Sequence, residues 1–398
     1  MAIAKKMRQF AATSSWIRKM FEEGTRLKQE FGADNVFDFS LGNPDLPPPE
    51  AFSRALRQEA AKQGPGLHGY MANAGFAATR AAVAARVSRE QGVAIEEDGI
   101  LMTCGAAGGM NVALKAILDP GDQVIVLAPF FVEYHFYIDN HGGEAVVVPT
   151  APDFSLDLEA IRLALSDRTK AIIINSPNNP SGQVYAAAEL QGLGELLQEK
   201  ARQLGRAVYL LADEPYRAIA YDTVRVPGVF AAYPDSIVVT SFSKDLSLAG
   251  ERIGFVAAHP AMHDRNALLG AMTLANRILG FVNAPALMQR VVGQLQDVTV
   301  DTGIYARRRD RFARILELAG YDFLLPRGGF YFFPKSPIPD DVRFVGLLQE
   351  ERILGVPGRG FGTPGHFRLA FCVDDRVIEN AADGFRRAME RANGASRT

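Results

Sequence analysis

Between residues 100 and 260 the chain alternates short, unbroken apolar runs with longer stretches of helical periodicity, and this constrains its fold more than any other feature. The runs fall at 123–127 (QVIVL), 145–148 (AVVV), 171–174 (AIII), 207–211 (AVYLL), 237–239 (IVV) and 253–256 (IGFV). A strand with one wet face would alternate apolar and polar residues. These runs do not, so both of their faces must be covered. The pattern predicts an α/β fold, a mostly parallel sheet with helices on either side. Ligands of such sheets bind beyond the carboxyl ends of the strands. Three polar segments stand there: 175–182 (NSPNNPSG), 213–216 (DEPY) and 241–244 (SFSK). Asp213 and Lys244 are 31 residues apart, the length of one strand–helix–strand unit, so they can share one rim.

The flanking regions read differently. Residues 15–31 carry Trp16, Ile17, Met20, Phe21, Leu27 and Phe31 at helical spacing, with Gly32 as a stop. The run PDLPPP (44–49) cannot be helix interior and marks a first boundary. After about residue 295 the chain turns helical and charged (YARRRDR, 305–311), then strand-like at 329–333 and 367–371. It closes on an amphipathic helix carrying Val377, Ile378, Ala381, Phe385 and Met389. A chain of 398 residues is long enough for two sizeable cores.

A formal charge of −2 gives no footprint for nucleic acid or an anionic membrane. No apolar stretch approaches the roughly 20 residues of a membrane span. The start, MAIAKK, lacks the following apolar core of a secretory signal. Cys104 and Cys372 are the two cysteines, with no CxxC pair, and the six histidines show no ligand spacing, so no metal site is expected. Reduced thiols in a cytoplasmic protein are the expectation.

The segment SFSKDLSLAGERIG (241–254) places Lys244 beside Ser241 and Ser243, with Arg252 eight positions on. A lysine at the end of a buried strand suits an imine to an aldehyde cofactor that carries a phosphate. The hydroxyls and the guanidinium would hold the dianion. Taken alone, these residues fit a solvated loop lysine beside a helix cap equally well. TCGAAGG (103–109) supplies small residues that let N–H groups at a helix N-terminus approach a phosphate. Arg368 stands in an apolar strand, FRLAF (367–371), where a lone cation is costly unless paired. Its expected use is a bidentate grip on a carboxylate, the alternative a structural salt bridge.

The lysine segment resembles the signature of the pyridoxal-phosphate aminotransferases of fold type I, the class I/II or aspartate aminotransferase superfamily. LGNPD (41–45) is similar to that family's N-terminal turn, and HGY (68–70) with Gly75 and Arg80 to its Tyr…Gly…Arg segment. NNPSG (178–182), DEPY and FRL (367–369) match three further motifs in the family's order. The resemblance runs from about residue 40 to about residue 372. It implies a large cofactor-binding domain over 49–294 and a smaller α+β domain made of 1–48 and 295–398.

The resemblance also implies pyridoxal 5′-phosphate and a set of roles. Lys244 would carry the cofactor and then the α-proton, Asp213 would keep the ring nitrogen protonated, and Tyr216 and Asn179 would bond the phenolate oxygen. Gly105, Ala106, Ala107, Ser241, Ser243 and Arg252 would form the phosphate cup. Phe131 takes the ring-stacking position, where many aspartate aminotransferases carry tryptophan. Tyr70 would reach the phosphate of the adjacent subunit in a homodimer with shared active sites. Gly42, Asn179 and Arg368 would receive the substrate α-carboxylate. Arg277 is either a reader of a side-chain carboxylate in the neighbouring site or a surface helix charge. The implied activity is ping-pong transamination between an L-amino acid, aspartate favoured, and a 2-oxo acid. Alternatives are a preference for neutral or aromatic donors, or a β-lyase or synthase on the same scaffold. A cofactor-sensing transcription regulator would need an appended DNA-binding domain. The roughly 40 residues before Gly42 hold one amphipathic helix and no basic surplus for that role.

Overall fold

The computed structural model describes residues 3–12 and 16–395. After a short strand β1 (Phe37–Asp38), the apolar runs lie in β3 (Gln123–Ala128), β4 (Glu144–Pro149), β5 (Thr169–Asn175), β6 (Tyr209–Asp213), β7 (Ser236–Ser241) and β8 (Gly254–Ala258), joined by β2 (Ile100–Thr103). These seven form one sheet in the order β2-β8-β7-β6-β5-β3-β4. Strands β3 to β7 run parallel, and β8 is antiparallel to both its neighbours. Helices Gly105–Ile117, Glu133–Asn140, Leu158–Ala164 and Ala187–Leu204 fill the crossovers.

Successive residues of each strand enter opposite cores. Val124, Val126, Ala171, Ile173, Leu211 and Val239 pack with helices Gly105–Ile117 and Arg265–Ile278. Their neighbours Ile125, Leu127, Ile172, Ile174, Leu210 and Val238 pack with helices Ala77–Gln91 and Ala187–Leu204. Strand side chains alternate faces, so an unbroken apolar run fills two cores at once. This is the mostly parallel, helix-covered sheet that the runs predict.

A third core joins both chain ends. Met20 and Phe39 meet Phe312, Phe330, Phe332, Phe344, Phe367 and Phe385. Here β9 (Tyr331–Phe332), β10 (Ile353–Leu354), β11 (Val356–Pro357) and β12 (Phe367–Ala370) make two small sheets, β11-β12-β9 and β1-β10.

Two expectations need correction. The helix expected over 15–31 is Trp16–Phe31, and its buried stripe is narrower than the spacing implies: Met20 and Leu27 are buried, while Phe21 and Phe31 are exposed. Met20 and Leu27 are two turns apart on one line, and Phe21 sits about 100° around the axis from it. Residue 15 and the side chain of Ile17 lie outside the described residues. The closing helix is two helices, Asp375–Asn380 and Ala382–Ala395, broken at Ala381. The break does not change cores, because Ile378, Ala381 and Phe385 all enter the third one.

Candidate active site

A cavity of about 330 Å³ opens at the carboxyl ends of β5, β6 and β7. One wall is this sheet rim together with the start of the Gly105–Ile117 helix. The other is Leu41, Gly42 and Asn43 with Tyr331 and Arg368.

On the rim, Asp213 ends β6 and is buried. Its Oδ2 accepts a hydrogen bond from the Tyr134 hydroxyl at 2.6 Å. Its Oδ1 is buried without a partner among the described residues. Burial pushes the carboxyl up to about 7, against the pull of the Tyr134 bond. Asn175, at the end of β5, braces two neighbours: its amide donates to the Asp213 carbonyl oxygen at 2.8 Å, and its Oδ1 accepts from the Asn179 N–H at 2.7 Å.

Lys244 lies three residues past the end of β7 and reaches across the cavity, its Nζ donating to the Gly42 carbonyl oxygen at 2.6 Å. Burial depresses the ammonium to about 8; the Arg368 and Arg252 guanidinium groups push the same way, against an opposing effect of Cys372. An amine near neutrality is a usable nucleophile. Ser241, Ser243, Ala106, Ala107 and Arg252 line the same end of the cavity. Gly105 lies behind this wall, at φ 73°, where a Cβ would stand 2.8 Å from the Arg252 guanidinium. Only a residue without a side chain admits that cation beside the helix start.

On the opposite wall Arg368 is 2% exposed. It donates to Asn179 Oδ1 at 2.9 Å and to the Ser40 carbonyl oxygen at 2.6 Å, while its Nε has no partner among the described residues. Among the described residues no carboxylate pairs with it, so the structural salt bridge is not what holds this arginine. Its guanidinium lies 4.6 Å from the Tyr331 ring centre and 4.8 Å from that of Phe361. Gly42 lines the cavity, and the direction a side chain would take from it is filled by Tyr331. A Cβ at Gly42 would stand 1.8 Å from the Tyr331 hydroxyl oxygen.

The remaining residues divide. Tyr216, Asn179 and Phe131 line the cavity. Tyr70 is 94% exposed, and Arg277 is exposed on the last turn of the Arg265–Ile278 helix; neither lines the cavity of this chain. Sequence reading passed over Tyr134 and Tyr331. Tyr134 sits three residues after Phe131, and the two rings meet edge-to-face at 5.7 Å. That spacing was the available signal. For Tyr331 the signal was a hydroxyl inside a phenylalanine-rich strand, which must find a partner when buried.

A family model described as Aminotransferase class I and II matches residues 34–385, and the chain belongs to that family. It is therefore a transaminase of fold type I, a class that acts on amino and 2-oxo acids and depends on pyridoxal phosphate. The chain is 32% identical over 359 residues to the aspartate/prephenate aminotransferase of Thermus thermophilus, covering 89% of this chain and 91% of that protein. It is 29% identical over 380 residues to an aspartate aminotransferase of Streptomyces avermitilis, covering 90% of each. Among solved structures, an amino transferase from Eubacterium rectale superposes with a TM-score of 0.95 at 36% identity, over 99% of this chain and 100% of that one. The Thermus thermophilus aspartate aminotransferase with maleate gives 0.86 at 27% identity, over 98% and 100%. No helix among the described residues is long and apolar enough to cross a membrane.

Proposed function

We propose that this enzyme moves the amino group of an L-amino acid, aspartate favoured, to a 2-oxo acid by a ping-pong route, with pyridoxal 5′-phosphate held on Lys244. One observation carries the reading: a single cavity holds a depressed lysine, together with a buried carboxylate oxygen and a buried guanidinium that find no donor and no counter-ion among the described residues. Buried polar groups are almost always paired, so the orphans point to what binds between them.

When bound, pyridoxal phosphate supplies an electron sink for the pair left on the substrate α-carbon. Asp213 Oδ1 would accept from a protonated ring nitrogen, whose charge would draw the carboxyl back to its ionised form. Ser241, Ser243, Arg252 and the N–H groups of Gly105, Ala106 and Ala107 would hold the phosphate. Phe131 would cover the ring, and Tyr216 and Asn179 would bond the phenolic oxygen. Lys244 Nζ would hold the aldehyde carbon, yield it to the substrate amine and then carry the α-proton. Arg368, with Gly42 and Asn179 around it, would orient the α-carboxylate through Nε and the N–H groups it has not committed.

Lys244, Arg252 and Arg368 already have tasks, so the second carboxylate of aspartate needs another cation. We assign that task to Arg277, and the far phosphate contact to Tyr70, each acting in the cavity of a partner subunit in a homodimer. That two of the relatives are aspartate and aspartate/prephenate aminotransferases supports aspartate as donor. We place the domain boundary near residues 48 and 295, because Phe52, Val292 and Leu295 join a sheet core while Met20, Phe39 and Val300 join the third core. Two free thiols, Cys104 and Cys372, fit a cytoplasmic location.

The test is a half-reaction. Borohydride should fix the cofactor on Lys244. Aspartate without an acceptor should yield one 2-oxo acid per subunit and no ammonia. Continued turnover with ammonia release would replace this reading with a lyase. With a 2-oxo acid acceptor added, Arg277→Ala should lose about ten- to a hundredfold in kcat/KM for aspartate and little for alanine, the range of a hydrogen bond to a charged group. Mixing Arg277→Ala with Lys244→Ala protomers should restore part of the aspartate activity. Equal losses for all donors would remove the aspartate preference.

A further inference from the structure

We propose that Tyr331 is a positioning residue with two separable functions: its ring holds the Arg368 guanidinium, and its hydroxyl orients the Tyr216 hydroxyl. The inference rests on the function proposed above and adds a residue to it.

Tyr331 is fixed from three sides. It opens β9, whose register pairs it with Ala370, two residues from Arg368 on β12. Its ring lies 4.6 Å from the Arg368 guanidinium, and it is 2% exposed. Its hydroxyl oxygen lies 2.8 Å from that of Tyr216, and the two rings meet edge-on with centres 5.8 Å apart. Gly42 closes the third side, since no side chain at that position could coexist with the Tyr331 ring and hydroxyl.

Each half of the side chain answers a separate need. A buried guanidinium with no counter-ion gains from an aromatic face, which attracts a cation without neutralising it, so Arg368 keeps its charge for an incoming carboxylate. The hydroxyl pair does something else. Burial keeps both phenols protonated. Either hydroxyl can donate in this pair, but a bound cofactor's negative phenolic oxygen would be the stronger acceptor for the Tyr216 proton, which would leave Tyr331 as the donor of the pair. A phenol that accepts one hydrogen bond is also a better donor of its own. Tyr331 therefore joins the carboxylate anchor on β12 to the residue that tunes the lysine-bound cofactor.

Two variants separate the halves. Tyr331→Phe keeps the ring and removes the bond to Tyr216. A weaker donor stabilises the negative phenolic oxygen less, so the lysine-bound cofactor holds its proton to higher pH. The pH at which the visible band changes should rise by a few tenths of a unit, about the 10–30% that one hydrogen bond gains from its neighbour in a chain. Affinity for 2-methylaspartate, a donor with no α-proton to lose, should stay within about twofold. Tyr331→Leu should show the same pH shift and in addition bind 2-methylaspartate about tenfold more weakly, as loss of a desolvated cation–π contact requires. Gly42→Ala, which would displace ring and hydroxyl together, should behave like Tyr331→Leu. Circular dichroism and one bound cofactor per subunit establish that each variant is folded.

A wild-type protein without a lysine-bound band would overturn the proposed function and this inference with it. A normal wild-type band with an unmoved transition in Tyr331→Phe would overturn the hydroxyl half alone. Equal affinities for 2-methylaspartate in Tyr331→Phe and Tyr331→Leu would overturn the ring half.

Discussion

The two walls of the cavity are built by different means. The sheet rim takes Asp213, Asn175 and Ser241 from the ends of adjacent parallel strands, in a register where Asn175 stands opposite Asp213 and Asp213 opposite Val239. Ladder hydrogen bonds place these residues, and the Asn175 amide ties Asp213 a second time. The opposite wall takes Gly42, Tyr331 and Arg368 from both ends of the chain, and an aromatic core gathers them. Phe330 and Phe332 flank Tyr331, and Phe367 precedes Arg368 in that core. Among the described residues, the rim leaves a carboxylate oxygen without a donor and the far wall leaves a guanidinium without a counter-ion. Changes at the rim should therefore strike the chemical step, and changes at the far wall should strike binding.

The largest expected effect tests the rim. Asp213→Asn should keep its cofactor and lose about a hundred- to a thousandfold in kcat, the scale for removing one preorganised electrostatic partner of a reacting group. The amide cannot hold a ring nitrogen protonated, but it still packs beside Tyr134. A variant that loses KM instead of kcat would break the division between the walls. At the far wall, Arg368→Lys should raise KM about ten- to a hundredfold for every α-amino acid, because a point charge replaces a planar fork. A defect confined to acidic donors would make Arg368 the side-chain reader and empty the far wall of its general role.

The smallest effect links the walls. Capture of pyridoxal phosphate by the apoprotein requires an uncharged Lys244 amine. Its pKa is depressed from 10.5 to about 8, chiefly by burial and secondarily by Arg368 and Arg252. A depressed amine loses its proton at lower pH than a free lysine does. The rate of covalent capture, followed by the visible band, should thus rise through about pH 8 and level off above it. Arg368→Met removes one of the depressing charges, so the midpoint should move upward. A capture rate that climbs towards pH 10 in the wild type would show that the cavity does not depress the amine.

Much of the rim was legible from the chain alone. Unbroken apolar runs reported that both faces of the sheet are covered, and the polar segments after them fell where strand ends must lie. The alternation of Val124 and Val126 with Ile125 and Leu127 between two cores is the physical content of that pattern. The tertiary structure decided what each buried group is buried against. The Tyr134 hydroxyl finds Asp213 across 79 residues of chain, Tyr331 finds Tyr216 across 115, and Arg368 finds Asn179 across 189 and Ser40 across 328. The room at Gly42 is taken by a ring that no local pattern around Gly42 announces, and the stripe of the Trp16–Phe31 helix is narrower than its spacing. Periodicity records which face of an element turns inward. The partner on that face is chosen by packing among distant elements, and it leaves no trace in the spacing of either one.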